Sequence, residues 1–296
     1  MSEAPWTIGR LLTWTTDFLR DKGAESPRLD AEVLLAHARC CPRIALYTAF
    51  DEPAPEELRE RFRALVRQRA AGKPVAYLVG QREFFSLPFE VTPDVLIPRP
   101  ETELLVVRAL DVAKERARDG KASLSVADVG VGSGVLAVTL ARQLPQCRVT
   151  AVDRSAAALA VAQRNAARHG VAERIAWVEG DVLSGVDAAA TFDLIVSNPP
   201  YVTTAELSEL SDDVRRFEPR LALDGGELGT AVIERLLPQA AERLRPDGWL
   251  LMEVSPTIVA RVEQLAAATP GLTLRPTLRD LAGLPRVIQA QRQEAP

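Results

Sequence analysis

The sequence predicts an α/β fold, a mostly parallel sheet with helices on both faces, preceded by a small helical bundle. Two observations indicate this fold. From Leu124 onward, short β-branched and apolar runs alternate with longer segments of helical periodicity, which is typical of parallel strands joined by crossover helices. The chain before residue 75 instead has apolar residues at helical spacing. Its 296 residues leave room for about two domains.

The N-terminal bundle is predicted from its helix start and stop signals. Thr7, Ser26 and Pro55 each precede a run of helically spaced apolar residues, and Gly23 and Gly72 follow two of these runs. Such residues begin and end helices because they satisfy or tolerate the unpaired backbone groups there. No side chain in the bundle has an obvious chemical task, so we expect the bundle to act as a scaffold or to contact a partner.

We expect three parts along the chain: the helical bundle of residues 1–74, a hairpin linker of residues 75–98 and a second domain of residues 99–296. The linker is aromatic and β-branched and is broken by Gly80 and Pro88. This composition indicates short strands or a hairpin.

Composition and charge exclude several classes of protein. The net charge of −4 argues against a protein that coats nucleic acid. Three cysteines and two histidines form no disulfide framework and no His-rich metal site, so we expect no metal. No apolar run is long enough to span a membrane, and the first residues lack a signal-peptide pattern. We therefore expect a cytoplasmic protein that binds no membrane.

One local basic cluster departs from this balance. It contains Arg59, Arg61, Arg63, Arg67 and Arg69 on the third predicted helix. Such a cluster is either a solvated helix face with paired charges or a docking surface for an acidic or RNA-associated partner. The sequence leaves both interpretations open.

A glycine-rich turn follows the first strand of the second domain and begins a helix, as a nucleotide-binding turn must. Glycine lets the backbone turn tightly and approach a ligand without a Cβ in the way. The spacing is G-x-G-x-G, which differs from the G-x-G-x-x-G of dinucleotide enzymes. Alternatively, the turn only connects strand to helix. The candidate cofactor-binding residues are Gly130, Val131, Gly132, Ser133 and Gly134.

Acidic residues follow the next two strands. Asp153 ends the second strand, where a carboxylate can accept hydrogen bonds from both hydroxyls of a ribose. The alternative is a charge that favours the dipole of the following helix. Asp181, after the third strand, is placed to reach an adenine, or else acts as a helix cap or turn residue.

The most specific motif is Asn198-Pro199-Pro200-Tyr201, at the end of a further strand. Two consecutive prolines fix the backbone and leave carbonyls without neighbouring N–H partners. Those carbonyls and the Asn198 side-chain oxygen can converge on one NH₂ group, and the tyrosine ring offers a flat face for a planar group. The motif therefore predicts chemistry on a carboxamide or an exocyclic base amine, achieved by positioning and electrostatics.

The glycine turn together with the two strand-end aspartates resembles the class I S-adenosylmethionine-dependent methyltransferases. Asn-Pro-Pro-Tyr is similar to the motif shared by adenine-N6 DNA methyltransferases and glutamine-N5 protein methyltransferases. Further segments resemble the peptide chain release factor N5-glutamine methyltransferase family over nearly the whole chain. These segments are Pro74–Tyr77, Leu96–Glu103, Glu218–Gly226, Arg279–Gly283 and Arg286–Val287.

The resemblance implies a Rossmann-like class I methyltransferase domain. The donor would be S-adenosyl-L-methionine, leaving S-adenosyl-L-homocysteine. The protein substrate would be the glutamine in the Gly-Gly-Gln motif of bacterial-type release factors, docked by the N-terminal helices, with no direct nucleic acid partner. The enzyme is expected to be a monomer.

The resemblance also implies roles for single residues. Gly130 to Gly134 would hold the methionine part, Asp153 the ribose, and Asp181 and Val182 the adenine. Asn198 and the Pro199 carbonyl would bind the glutamine amide, Pro200 and Tyr201 would shape its slot, and Asn198 would also touch the cofactor.

Two positions depart from the family's pattern, and three alternative functions stay open. Val131 replaces a small polar or thiol residue, which should not disturb a loop that binds through its main chain. The segment Glu253–Thr257 lacks the family's usual glycine, so the shape of that strand end is open. The alternatives are a ribosomal protein glutamine methyltransferase, a DNA adenine-N6 methyltransferase and a non-catalytic binding module.

Overall fold

The computed structural model describes residues 5–118, residue 120 and residues 123–293. It divides into two compact units. The first, the helical unit, comprises Met1–Gln81 and Ser211–Phe217, and the second, the sheet unit, comprises Arg82–Leu210 and Glu218–Pro296. The assignment of the helical unit to substrate docking stays a prediction.

The helices are, in chain order, α1 (Ile8–Asp21), α2 (Pro27–Arg39), α3 (Ile44–Thr48), α4 (Glu56–Ala70), α5 (Val75–Val79), α6 (Glu103–Arg118), α7 (Val135–Gln143), α8 (Ala156–Arg168), α9 (Asp212–Phe217), α10 (Ala231–Arg243) and α11 (Val259–Ala268). The strands are β1 (Gln81–Phe84), β2 (Leu87–Glu90), β3 (Leu124–Val129), β4 (Cys147–Asp153), β5 (Ile175–Glu179), β6 (Phe192–Ser197), β7 (Leu244–Glu253), β8 (Leu272–Arg279) and β9 (Pro285–Arg292). No helix in the described residues is long and apolar enough to cross a bilayer.

The helical unit packs around aliphatic side chains of α1, α2 and α3, among them the fully buried Leu12, Leu34 and Leu46. Thr7 caps α1 as predicted, because its Oγ1 accepts the N–H of Arg10 at 3.2 Å. Ser26 occupies the N-cap position of α2, although its side chain makes no capping hydrogen bond.

Two features of the helical unit differ from what the sequence predicted: the start of the linker and the basic cluster. Val75–Val79 forms the helix α5 and not a strand, because the Pro74 carbonyl accepts the N–H groups of Tyr77 and Leu78 and the apolar run packs on the helical core. The basic cluster of α4 does not form one face. Arg69 turns inward to pair with Asp30 at 2.7 Å.

The sheet of the second unit has the strand order β5-β4-β3-β6-β7-β9-β8. The first five of these strands are parallel and β9 runs antiparallel to both of its neighbours, which confirms the mostly parallel sheet. Helices α6, α7 and α8 contribute to the apolar core on one face, and α10 and α11 to that on the other.

The antiparallel edge formed by β9 and β8 was not predicted from the sequence. The sequence of β8 explains this, because five of its eight residues are Thr, Arg or Pro and its burial follows no clean alternation. A separate two-stranded hairpin pairs β1 with β2. Its two-residue turn places Phe85 and Ser86 at φ 50° and 59°.

A buried ion cluster ties α6 to the sheet. Asp193 on β6 is only 3% exposed and accepts hydrogen bonds from Arg116, Arg245 and the N–H of Ser125. Arg116 is itself 6% exposed. Removing one member of such a cluster costs more than the cluster contributes, because a charge is then left buried without its partner.

We expect Asp193→Ala to lower the free energy of unfolding by roughly 3–5 kcal/mol, because Arg116 loses its counter-charge in the interior. Urea denaturation measures this change. Arg245→Ala is the matched control, since that side chain is 45% exposed and its pairing is worth about 1 kcal/mol or less. Equal losses in the two variants would contradict the interpretation.

Candidate active site

A cavity of the sheet unit lies at the carboxyl ends of β3, β4 and β6, where ligands bind in open parallel sheets. Its empty volume is about 1240 Å³, including the solvent at its mouth, which is ample for a nucleoside-sized ligand. Ten of the residues predicted for the site line it: Gly130, Val131, Gly132, Ser133, Asp153, Asp181, Val182, Asn198, Pro199 and Pro200. Gly134 and Tyr201 are not among its lining residues.

The glycine turn is held by backbone hydrogen bonds. The N–H groups of Gly130 and Val131 both donate to the Val152 carbonyl, at 2.8 and 3.0 Å. Gly134 has φ +85°, and a Cβ there would lie 3.1 Å from the Cβ of Ala162. Gly132 also has a positive φ, of +53°, but an added Cβ would meet nothing within 4 Å. Gly134 therefore permits helix packing, whereas Gly132 borders open space.

Asp128 begins the turn and is buried at 1% exposure. Its Oδ2 accepts the N–H of Ala137 in the first turn of α7 at 2.8 Å, while Oδ1 has no partner among the described residues. Burial raises the pKa of this carboxyl to about 7, and the nearby charge of Asp153 acts in the same direction.

Asp153, at the end of the neighbouring strand β4, holds the glycine turn through a hydrogen bond. Its Oδ2 accepts the N–H of Gly132 and its Oδ1 accepts the N–H of Ser155, both at 2.9 Å. Burial raises its pKa, and these backbone hydrogen bonds oppose the rise. Two carboxylate oxygens offer about four acceptor sites, so acceptors remain for the hydroxyls of a ribose.

Asp181 and Val182 form the third side of the cavity. Asp181 is exposed and pairs with Arg235 at 3.1 Å, and its carbonyl accepts the N–H of Ser184 in a turn. Val182 has φ 58° although it is β-branched. A β-branched residue in this conformation is strained, and such strain concentrates at ligand sites.

Asn198 has a defined amide orientation. Its Nδ2 donates to Oγ1 of Thr102 at 3.1 Å, which leaves Oδ1 as the acceptor for a ligand. No donor among the described residues hydrogen-bonds to the Pro199 carbonyl. Next to it, Gly225 allows the following loop to approach, since a Cβ there would lie 2.8 Å from the Pro200 carbonyl oxygen. Two unfilled acceptors on adjacent residues can bind the two N–H bonds of a planar NH₂ group.

The Tyr201 hydroxyl donates to Oε1 of Glu253 at 3.1 Å, and neither residue is among those that line the cavity. Burial raises the pKa of the tyrosine hydroxyl, and the charge of Glu253 adds to this effect. The stacking role predicted for its ring stays a prediction.

Three functional candidates escaped the residue-by-residue analysis: Thr102, Glu218 and Glu253. Glu218 is 6% exposed, pairs with Arg99 at 2.6 Å and accepts the N–H of Ile97 at 3.2 Å. It thereby joins two segments that line the cavity. All three lie within segments singled out by the sequence analysis, but their partners are too distant in sequence to be inferred from it. No group of three metal-ligating side chains occurs in the described part of the chain.

Family models match both parts of the chain. The PrmC N-terminal domain matches residues 10–80, and the methyltransferase small domain matches residues 103–214. A relative from Rhodopirellula baltica called release factor glutamine methyltransferase is 48% identical over 98% of this chain and 98% of its own. The chain belongs to the release factor glutamine methyltransferase family.

Other comparisons agree with this family membership. A second release factor glutamine methyltransferase, from Geobacter sulfurreducens, is 47% identical over 86% of this chain and 87% of its own. A methyltransferase structure from Pyrococcus furiosus has a TM-score of 0.51 at 19% identity, covering 79% of this chain and 98% of that one. At that identity the likeness shows the fold alone, and it agrees with the predicted class I methyltransferase architecture.

Asp128 should make stability depend on pH. Because its folded-state pKa of about 7 lies above the ordinary 3.8, its protonated form stabilises the fold, and this contribution is lost as the pH rises from about 4 through 7. Asp128→Asn cannot ionise, so between pH 5 and pH 8 its free energy of unfolding should rise relative to that of the unmodified protein by roughly 2–3 kcal/mol. Urea denaturation at pH 5 and pH 8 measures the gain. A difference between the two proteins that stays constant with pH would contradict it.

Proposed function

We propose that this chain transfers a methyl group from S-adenosyl-L-methionine to the side-chain amide nitrogen (N5) of the glutamine in the Gly-Gly-Gln motif of peptide chain release factors. One observation supports the reaction above all others. Asn198, with Nδ2 held by Thr102, presents a free Oδ1 beside the unpaired Pro199 carbonyl in the cavity that the glycine turn also lines. Family membership supports the choice of substrate.

The residues around the glycine turn fit the proposed donor. Asp153 has acceptor sites for the ribose hydroxyls, Asp181 and Val182 border the position proposed for the adenine, and Gly132 borders space that a Cβ would fill. When bound, S-adenosyl-L-methionine supplies an electrophilic methyl group and leaves as S-adenosyl-L-homocysteine. The part played by this chain is to hold the acceptor nitrogen in line with that methyl group.

An amide nitrogen is a weak nucleophile, and Asn198 and Pro199 are proposed to activate it. The nitrogen lone pair of a carboxamide is delocalised into its carbonyl. When Oδ1 of Asn198 and the Pro199 carbonyl accept its two N–H bonds, they fix its orientation and increase its electron density, and such preorganised dipoles lower barriers strongly. As the new N–C bond forms, the nitrogen becomes acidic and releases one proton to water, so the amide ends neutral.

The surroundings of the cavity favour a protein substrate over DNA. Two arginines line it: Arg99 is already paired with Glu218, which leaves Arg154 as the lining arginine without an ion pair among the described residues. A DNA-modifying enzyme needs cations to contact phosphates and space to receive a flipped base. We therefore propose no direct nucleic acid partner.

The helical unit is proposed to dock the body of the release factor, with the exposed arginines of α4 as candidate contacts. Because this substrate works with the ribosome, we place the enzyme in the cytoplasm, and we propose that it acts as a monomer.

The defining experiment is methyl transfer from labelled S-adenosyl-L-methionine to three acceptors: a purified release factor, the same factor with the Gly-Gly-Gln glutamine replaced, and duplex DNA. We expect label on the intact factor alone. Label on DNA would instead assign the Asn198 site to adenine chemistry. Absence of label on all three, followed by label on ribosomal protein, would identify the alternative glutamine substrate.

Asn198→Ala should lower the turnover number by roughly 10²–10³, the usual cost of removing one preorganised hydrogen-bonding group. Its affinity for the methyl donor, measured by calorimetry, should change little, which separates loss of chemistry from loss of fold. Normal turnover in this variant would refute the proposed role of Asn198.

Gly132→Ala should weaken binding of S-adenosyl-L-methionine because the new methyl group occupies the space proposed for the ligand. Its left-handed backbone should cost only about 1–2 kcal/mol of stability. Gly134→Ala is the matched control, since its Cβ would press on Ala162 and should reduce stability further. Calorimetric titration and urea denaturation separate the two effects. Unchanged donor affinity in Gly132→Ala would count against the proposed cradle.

A further inference from the structure

A buried polar network lies behind Asn198. Thr102 ends the short 3-10 turn Pro100–Thr102 and is 2% exposed, and Glu253 ends β7 and is also 2% exposed. Asn198 donates to Thr102 at 3.1 Å, and Tyr201 donates to Glu253 at 3.1 Å. Buried polar groups of this kind cost free energy unless they are paired, so their presence beside the site calls for a reason.

The direction of each hydrogen bond follows from the donors available. The Thr102 hydroxyl has one hydrogen, and its oxygen already accepts the N–H of Asn198, so its own hydrogen must point to another acceptor. The Glu253 carboxyl lies close enough for the Thr102 hydroxyl to lower its pKa, against the larger, opposing effect of burial, and its Oε2 is a buried acceptor without a hydrogen bond of its own among the described residues. Asn198 therefore donates to Thr102 and Tyr201 donates to Glu253, and the Glu253 carboxyl is the buried acceptor available to the remaining hydrogen of Thr102.

The carboxyl of Glu253 is not saturated. Its Oε1 accepts the Tyr201 hydroxyl, whereas Oε2 has no partner with full hydrogen-bond geometry among the described residues. An acceptor with spare capacity draws both hydroxyl hydrogens toward itself. It thereby disfavours the arrangement in which the Thr102 hydroxyl donates to Oδ1 of Asn198.

This polarity matters because an asparagine amide has two ends of nearly equal size. If the side chain of Asn198 rotated by half a turn, Nδ2 would replace Oδ1 in the cavity, and a donor would face the N–H bonds of the substrate. Resting on the proposed function, we propose that Thr102 and Glu253 are positioning residues that keep Oδ1 of Asn198 as the substrate acceptor and that anchor Tyr201 behind it. Neither residue takes part in bond making.

The first test compares Thr102→Val, which has the shape of threonine without the hydroxyl, with Thr102→Ser, which keeps the hydroxyl. We expect Thr102→Val to lower kcat by roughly 10–100-fold, the range for loss of one buried hydrogen bond. The KM for the release factor and the affinity for S-adenosyl-L-methionine should stay nearly unchanged. Thr102→Ser should recover kcat to within about threefold of the unmodified enzyme.

Glu253→Gln supplies a second test, because it keeps the shape of the side chain and reverses one hydrogen bond. The new amide N–H donates to Thr102, whose hydroxyl then donates to Asn198 and favours the rotated amide. We expect a loss of kcat at least as large as in Thr102→Val. In the double variant the losses should not multiply, since both changes act on the same orientation.

The outcomes separate this inference from the proposed function. If the unmodified enzyme labels no release factor, the proposed function fails. If it does label the factor and Thr102→Val matches Thr102→Ser in kcat, only the positioning role is overturned. Parallel losses of kcat and melting temperature in Thr102→Val, with multiplicative effects in the double variant, would likewise overturn it in favour of a structural role.

Discussion

The hydrogen bond from Oγ of Ser197 to the Val129 carbonyl, 2.7 Å long and fully buried, joins the two strand ends on which the site depends. Val129 precedes the glycine turn and Ser197 precedes Asn198, so this contact, together with the pairing of β3 with β6, holds the proposed donor cradle against the proposed acceptor clamp. The sheet makes the contact possible. The chain lays β4 and β5 on one side of β3 and places β6 and β7 on the other, and this reversal creates the crevice in which parallel sheets bind ligands. A rigid separation between the two loops is what in-line transfer requires, because small misplacements of reacting atoms are expensive.

The sequence predicted those site residues whose place in the fold follows from their position along the chain. Asp153 and Asn198 each end a strand, and parallel strands bring their carboxyl ends to one edge, so position along the chain was enough to predict that both line one cavity. Thr102, Glu218 and Glu253 could not be assigned roles in the same way. Thr102 is 96 residues from Asn198 and Arg99 is 119 residues from Glu218, and such pairings appear only when the chain is folded. The helix α5 was misjudged for a related reason, since packing on the helical core overrides the strand preference of valine.

The chemistry of the site costs stability. Burial raises the pKa of Asp128, Asp153 and Glu253, and two of these carboxyls retain an oxygen without a partner in the described structure. A protein selected for stability alone would fill these positions with apolar residues. Asp193, another buried carboxylate of the sheet unit, is fully paired, because both of its oxygens accept hydrogen bonds from two arginines and a backbone N–H. Among the described residues, the buried carboxyl oxygens without a hydrogen-bond partner therefore belong to Asp128 and Glu253, beside the site.

The Asn-Pro-Pro-Tyr motif alone does not distinguish a glutamine amide from an adenine amine, because both present a planar NH₂ group to the same two acceptors. Discrimination must come from what borders the motif. In this chain two bordering segments are bound to each other through Arg99 and Glu218, so the charge of Arg99 is already paired. A phosphate at this position would have to compete with the Glu218 carboxylate, whereas a peptide loop meets no such penalty. This ion pair is therefore one physical reason for proposing a protein substrate, and it acts alongside the docking role proposed for the helical unit.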